Sequence, residues 1–104
     1  MEEARKKEKV SKEILNKIKN NYIISPHAKQ RLRERVRLLY GNTDINKFVY
    51  SVLKSKEKDA IYTYQKRRVS LKKNKTARDY LIFDFDEKTG KWVLVSYVSS
   101  VKEF

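Results

Sequence analysis

The hydrophobic pattern of this chain changes its period once, near residue 59, and that change constrains the fold more than any other feature. Before it, apolar residues recur every three or four positions, as they do on the buried side of an α-helix. After it, apolar and aromatic residues alternate with polar ones or follow one another without interruption, as in β-strands. Because the helical part precedes the strand part, the sequence predicts an α+β domain whose helices pack on one face of a small antiparallel meander.

The first part of the chain is expected to begin with a charged helix over residues 2–20. Ser11 offers a weaker alternative start for this helix, since its side chain can act as an N-cap. We therefore divide the chain into a charged N-terminal helix over residues 1–21 and an α+β domain over residues 22–104. The apolar segment 22–24 is short enough to be either an edge strand or an extended link.

The next two helices carry clearer signals at their ends. Ser25 followed by Pro26 predicts a helix start, because the hydroxyl can cap the first turn and proline at the first position has no N–H to leave unpaired. This second helix is expected to end at Gly41. Thr43 or Asp44 is then expected to cap a third helix.

The second part of the chain is expected to form three antiparallel strands. Their predicted spans are residues 61–71, 80–86 and 92–98. A polar turn is expected at 73–76, and a hairpin loop places Gly90 where a positive φ is wanted. The last strand is almost continuously apolar, which is typical of the centre of a sheet.

The charge of the chain indicates the class of partner. It has 26 Lys and Arg residues against 13 Asp and Glu residues, a formal net charge of +13. An excess of this size favours RNA or DNA as the partner, through counterion release. A membrane surface is less favoured, because the amphipathic second helix needs its apolar stripe for the core.

Cysteine is absent, which excludes disulfides, thiolate metal sites and cysteine nucleophiles. No apolar run has the length of a membrane span, and the first residues do not resemble a secretory signal. We therefore expect the protein to act in the cytoplasm.

The only histidine, His27, begins a row of ionisable side chains on the second helix. Arg31 lies about 40° and Arg35 about 80° round the helix from it. Metal-independent RNA cleavage needs proton-transfer groups and cations that hold the phosphorane. Imidazole and guanidinium groups can supply these. The alternative is a surface histidine beside an ordinary helix ion pair between Arg31 and Glu34.

Aromatic and basic residues of the predicted sheet extend the candidate site. Along the strand predicted over 61–71, one face would carry Tyr62, Tyr64, Lys66 and Arg68. Such a face can stack bases and hold the backbone of single-stranded RNA. Tyr97, near the end of the last strand, is placed to reach toward the helices, and a core tyrosine with a satisfied hydroxyl is the alternative there and at Tyr62.

The candidates fall into two groups. The catalytic candidates are His27, Arg31, Arg35, Tyr64 and Tyr97, and the nucleic-acid-binding candidates are Lys66, Arg67, Arg68, Lys72, Lys73 and Arg78. No metal and no cofactor is expected. The segment Asp86-Glu87-Lys88 matches the acid-x-lysine pattern of metal-dependent nucleases only superficially, because the lysine falls in a turn.

The pattern His27-Ala28-x-x-Arg31-x-x-Glu34-Arg35, followed by a second helix and a meander, resembles a small bacterial and phage domain family. That family is similar in layout to the RelE/barnase-like ribonuclease toxins, and the resemblance covers residues 22–98. It implies an RNA-binding cleft between helix and sheet. By the resemblance, His27, Arg31 and Arg35 belong to the motif, whereas Tyr64, Lys66 and Tyr97 are matched by position only.

Two hypotheses about function follow. The first is a metal-independent, toxin-like endoribonuclease that acts through a His/Arg site in a basic cleft, with an acidic antitoxin-like protein as a further partner. The second is a non-catalytic basic protein, encoded by a phage or plasmid, that binds nucleic acid or inhibits a host protein machine.

Overall fold

The computed structural model of the protein describes residues 8–41, 44–56, 58–63, 67–74 and 76–99. Its elements, in chain order, are β1 (Glu8–Lys9), α1 (Lys12–Asn20), β2 (Tyr22–Ile24), α2 (Pro26–Tyr40), α3 (Ile45–Lys54), β3 (Asp59–Thr63), β4 (Arg68–Lys72), β5 (Asp79–Asp86) and β6 (Lys91–Ser99). The strands form one mixed sheet in the order β1-β3-β4-β5-β6-β2. The α+β fold class is thus confirmed.

The meander has four strands among the described residues, not the three expected. Strands β3 to β6 pair antiparallel in sequence order, β1 pairs antiparallel with β3, and β2 runs parallel to β6 at the opposite edge. The expected single strand over 61–71 is wrong, because the chain reverses between β3 and β4. The reversal lets two short apolar sets, Ala60 with Tyr62 and Val69 with Leu71, reach the same core.

This hairpin changes which side chains share a face. Tyr62 is paired with Val69 and lies on the buried face, whereas Thr63 is paired with Arg68. Directly opposed residues of an antiparallel pair project to the same face, and neighbours along a strand project to opposite faces. Tyr62 and Arg68 therefore lie on opposite faces of the sheet, and the predicted single face that would join them is wrong.

Helix α1 starts later than expected. Ser11 caps it, its Oγ accepting a hydrogen bond from the Ile14 N–H at 3.3 Å, and residues 8–9 form a strand. The alternative start at Ser11 is thus confirmed, and a helix over residues 8–11 is wrong; residues 1–7 lie outside the described residues. Ile18 is fully buried, so α1 packs into the core shared with the other helices.

The ends of α2 and α3 are as the sequence predicts. The Ser25 Oγ accepts from the Ala28 N–H at 3.1 Å, Pro26 occupies the first helical position, and Gly41 follows the helix with φ 78°. Asp44 caps α3, its carboxylate accepting from the Asn46 and Lys47 amides. The prediction named Thr43 or Asp44 for this cap, and the structure uses Asp44.

One face of the sheet is covered by the three helices. The buried side chains there come from every helix and from strands β3 to β6: Ile18, Ala28, Leu32, Val36, Phe48, Val49, Val52, Leu53, Ala60, Tyr62, Val69, Leu71, Leu81, Phe83, Trp92, Leu94 and Tyr97. Helix α2 lies mainly over β6. The opposite face, which we call the open face, carries the alternate residues of β4 and β5, among them Arg68, Lys72, Ile82 and Asp84.

A β-bulge in β6 determines where Tyr97 points. Phe83 is paired with Leu94 but Ile82 is paired with Ser96, so Val95 is an extra residue in β6. The extra residue shifts the alternation of the strand by one position. Leu94 and Tyr97 are therefore both buried, although three positions separate them.

No helix within the described residues is both long and apolar enough to cross a membrane.

Candidate functional site

The polar side of α2 carries the residues of the predicted motif. His27 is the second residue of the helix and is exposed, while Arg31 and Arg35 are half-buried at the edge of the helix–sheet contact. We call these three residues the His27 row. Burial of Ala28, Leu32 and Val36 sets the rotation of α2 about its axis and so places the row at that edge.

Helix α2 is strongly cationic. Five of its side chains carry a positive charge and only Glu34 carries a negative one: the cations are Lys29, Arg31, Arg33, Arg35 and Arg37. None of the five forms an ion pair with a residue that the structure describes. The Glu34 carboxylate instead accepts a long hydrogen bond from Gln30 at 3.5 Å. The ion pair between Arg31 and Glu34 that the alternative interpretation predicted does not form, although His27 is a surface residue, as that interpretation also predicted.

At the other end of α2, one carboxylate holds two tyrosines. The Tyr97 hydroxyl donates to Asp79 Oδ2 at 2.7 Å, and the Tyr40 hydroxyl lies 3.1 Å from both oxygens of the same carboxylate. The ring of Phe48 packs against both phenols, with ring centroids 5.2 Å from Tyr40 and 5.6 Å from Tyr97. This cluster ties the last residue of α2 to the start of β5 and the end of β6.

The cluster keeps both phenols protonated. Burial, the nearby Asp79 charge and the hydrogen bond to it raise the pKa of Tyr40 to about 12. The same causes, with burial the largest, raise the pKa of Tyr97, and only the Arg35 charge opposes that rise. Arg35 therefore lies close enough to Tyr97 to interact electrostatically with it.

Tyr97 itself is 1% exposed. Its hydroxyl is bound to Asp79 and its ring is inside the core, so the structure places it as a buried tyrosine with a satisfied hydroxyl, which was the alternative interpretation. Tyr97 supports the end of α2 from within the core, and its hydroxyl is not accessible to a substrate.

The basic residues of the sheet lie apart from the His27 row. Arg68 forms a bidentate pair with Asp84 on the open face, Nε to Oδ1 at 2.6 Å and the second bond at 2.8 Å. Arg67 is paired with Glu87. Lys72, four residues from Arg68 on the same strand, shares its face. Because α2 covers the opposite face of the sheet, these cations and the His27 row do not form one cleft.

The remaining candidates add little to either group. Lys73 is exposed at the end of β4, where its carbonyl accepts from the Ser55 hydroxyl at 2.9 Å, and Arg78 is exposed just before β5. Tyr64 and Lys66 lie outside the described residues. The structure thus brings together His27, Arg31 and Arg35, and brings Arg35 next to Tyr97, but does not gather the predicted set into a single site.

The acidic residues of β5 are occupied by local contacts. Asp84 binds Arg68, and the Asp86 carboxylate accepts from the Lys88 amide at 3.2 Å and the Thr89 hydroxyl at 2.8 Å. Within the described part of the chain, no group of three or more His, Cys, Asp or Glu side chains is arranged to hold a metal ion. The acid-x-lysine segment is therefore a turn in which the Asp86 carboxylate accepts hydrogen bonds from the residues that follow it.

Two residues of the tyrosine cluster, Asp79 and Tyr40, were not predicted from the sequence. Tyr40 is the last helical residue before Gly41, and Asp79 is the first residue of β5, so their meeting depends on strand register and on the bulge at Val95. No local sequence signal encodes that meeting.

Comparison of the chain with protein-family models, with curated proteins and with solved structures finds no match. The resemblance to the RelE/barnase-like ribonucleases stays a prediction from the motif.

Proposed function

We propose that this protein binds nucleic acid along the His27 row, with RNA as the preferred ligand, and that it acts in the cytoplasm. The observation that carries the proposal is the row itself. It consists of an exposed imidazole followed by two half-buried guanidiniums that form no ion pair with a described residue. These groups lie on the most cationic of the three described helices, in a chain with net charge +13.

Binding costs less entropy when the cations that hold the ligand are already partly ordered. Arg31 and Arg35 are half-buried, so part of their rotamer entropy is lost on folding and is not lost again on binding. A guanidinium can hold a phosphate through two parallel hydrogen bonds. Each phosphate neutralised releases counterions, which makes the affinity fall with rising salt.

The test compares two double variants of the same helix. Arg31→Gln with Arg35→Gln removes two charges from the row, whereas Arg33→Gln with Arg37→Gln removes two exposed charges of α2 outside it. Because hydrogen bonds to charged groups are each worth about 1.5–3 kcal/mol, we expect the first pair to weaken binding of a labelled single-stranded RNA about tenfold or more. The second pair should weaken it only a few-fold through the general field.

The affinity is measured by fluorescence anisotropy at several salt concentrations, with thermal melting to confirm that both variants fold. Equal loss of affinity in the two double variants would contradict the row as the binding site. An absence of salt-dependent RNA or DNA binding by the wild-type protein would contradict the proposed function altogether.

The second candidate function is metal-independent RNA cleavage. It is favoured by the position of His27, whose exposed imidazole stands one helical turn from Arg31 and is open to a bound phosphodiester. It comes second because Tyr97, the described candidate for a second proton-transfer group, is buried and bound to Asp79. In the known chemistry of this reaction class, one group takes the 2′-hydroxyl proton and another protonates the leaving oxygen.

Cleavage is tested by incubating labelled RNA with the protein in EDTA and separating the products on a denaturing gel. If the second candidate is right, products with cyclic phosphate or 3′-phosphate ends form, and His27→Gln lowers the rate by about 10²–10⁴-fold. Intact RNA at protein concentrations that saturate binding would leave a non-catalytic binding protein. A rate unchanged in His27→Gln would remove the histidine from the chemistry.

A further inference from the structure

Phe85 lies beyond the part of the sheet that the helices cover. Leu81 and Phe83 on the same strand are buried, but Phe85 is 37% exposed. Its ring packs at a tilt against Trp92, with the ring centroids 5.4 Å apart. An aromatic face is thus presented to solvent at the end of the sheet where β5 turns into β6.

Phe85 forms a wall of two depressions. One, of about 490 Å³, is also lined by Arg67, Arg68 and Asp84. The other, of about 400 Å³, we call the Phe85 groove; besides Phe85 it is lined by Lys17, Asn20, Asn21, Gly90, Lys91 and Trp92. In the first depression both arginines are paired with carboxylates, so it offers little free charge.

The polar groups of the Phe85 groove are unengaged within the described structure. Lys17, Asn20, Asn21 and Lys91 make no side-chain hydrogen bond or ion pair with a described residue. Two amides, each with donors and an acceptor, thus stand beside an aromatic wall and two ammonium groups. Aromatic side chains stack nucleobases, amides can hydrogen-bond their edges, and ammonium groups attract phosphate.

We propose that the Phe85 groove binds one unpaired nucleotide. The base stacks on Phe85 with its edge toward Asn20 and Asn21, and its phosphate lies near Lys91. The base is assigned to the end of α1 because the last carbonyls of a helix carry partial negative charge, which disfavours a phosphate there. Bases inside a duplex are covered by their neighbours, so this site accepts single-stranded nucleic acid only.

The groove and the His27 row can bind the same strand. Asn21 lines the groove, and Ser25, the cap of α2, follows after the three residues of β2. At about 3.3 Å per residue, this segment spans roughly 13 Å, a distance that a few nucleotides can cover. The inference rests on the proposed function, and it adds a preference for unpaired bases to it.

Trp92 provides the readout, because it is the only tryptophan of the chain and it lines the groove. Adenosine monophosphate is titrated against its fluorescence, with inorganic phosphate as a comparison. We expect a saturable change with the nucleotide and none with phosphate alone. Phe85→Leu should weaken nucleotide binding at least about fivefold, because it keeps an apolar side chain but loses base stacking. Phe85→Tyr should retain it.

A second titration uses single-stranded and duplex RNA with the same variants. Wild type and Phe85→Tyr should prefer the single strand, and Phe85→Leu should lose that preference. Equal binding by Phe85→Leu and Phe85→Tyr, or a fluorescence that does not respond to adenosine monophosphate, overturns the groove. If RNA binds wild type and Phe85→Leu equally, the groove fails and the proposed function stands. If RNA binds neither wild type nor Phe85→Leu, while adenosine monophosphate still changes the fluorescence of Trp92, the proposed function fails.

Discussion

At the scale of single residues, the Asp79 carboxylate is the group that fixes the end of α2. It accepts from Tyr97, which is part of the core, and from Tyr40, which is the last residue of the helix. Hydrogen bonds to a charged acceptor are stronger than those between neutral groups. The carboxylate thus fixes the end of α2, and with it the position of Arg35, one of the three residues of the His27 row.

The two buried phenols that bind Asp79 make the folded protein less stable at alkaline pH. Since the pKa of Tyr40 is raised to about 12, chiefly by burial and then by Asp79, the folded state holds a proton that the unfolded state releases near pH 10. The retained Tyr40 proton contributes fully to the free energy of unfolding below about pH 10, and this contribution is lost as the pH rises toward about 12. The Tyr97 pKa is raised in the same direction and adds to the loss.

We expect Asp79→Asn to lower the pKa of Tyr40 part of the way, since burial remains. Absorbance of the phenolate, followed against pH, measures this directly, and urea unfolding at each pH measures the stability. Tyr50, which is exposed and forms no hydrogen bond with Asp79, offers a control through Tyr50→Phe. An identical alkaline titration of wild type and Asp79→Asn would contradict the role of this carboxylate.

At the scale of elements, the helix ends were the features that the sequence specified best. Capping depends on residues that are adjacent in the chain, and Ser25, Asp44 and Gly41 all act where they were expected to act. Even Ser11, the weaker alternative, caps α1. Local hydrogen bonding and backbone freedom at these positions leave few other solutions.

The strand boundaries and the register of the sheet were predicted less well than the helix ends, because they depend on packing between residues that are far apart in the chain. The reversal between β3 and β4 carries no glycine or proline, so nothing in residues 61–71 separates the two strands locally. The bulge at Val95 has no local signal either, since residues 92–98 are apolar except for Ser96 and show no alternation that a register shift would interrupt. Both features arise because the inward side chains must meet one core. The reversal also sets the face of Arg68, which lies on the open face and apart from the His27 row.

The Ser25 side chain is expected to stabilise the start of α2. Ser25→Ala removes the acceptor of the Ala28 N–H and should lower the free energy of unfolding by about 1 kcal/mol. Ser25→Thr keeps the acceptor and should lie close to wild type. Urea denaturation measures both. If Ser25→Ala is as stable as Ser25→Thr, the cap does not stabilise the start of the helix that carries His27.

At the scale of the whole molecule, the two faces of the sheet divide the charge. The cations on β4 and directly before it are partly neutralised, since Arg68 is paired with Asp84 and Arg67 with Glu87. Those of α2 are not paired within the described residues. A net charge of +13 attracts polyanions to the entire surface. The strongest binding is expected at cations that are half-buried and form no ion pair with a described residue, because ordering them on binding costs the least entropy. We therefore infer that a nucleic acid approaches the helical face along the His27 row.

The location of that contact is the central claim, and a chemical-shift map tests it most directly. Nitrogen-15-labelled protein is titrated with a short, unstructured oligoribonucleotide, and the backbone amide signals are followed by two-dimensional NMR. We predict the largest changes at residues 27–35 of α2, with small ones along β4 and the open-face residues of β5. Changes concentrated at Arg68–Lys72, with residues 27–35 unmoved, would contradict binding along the His27 row.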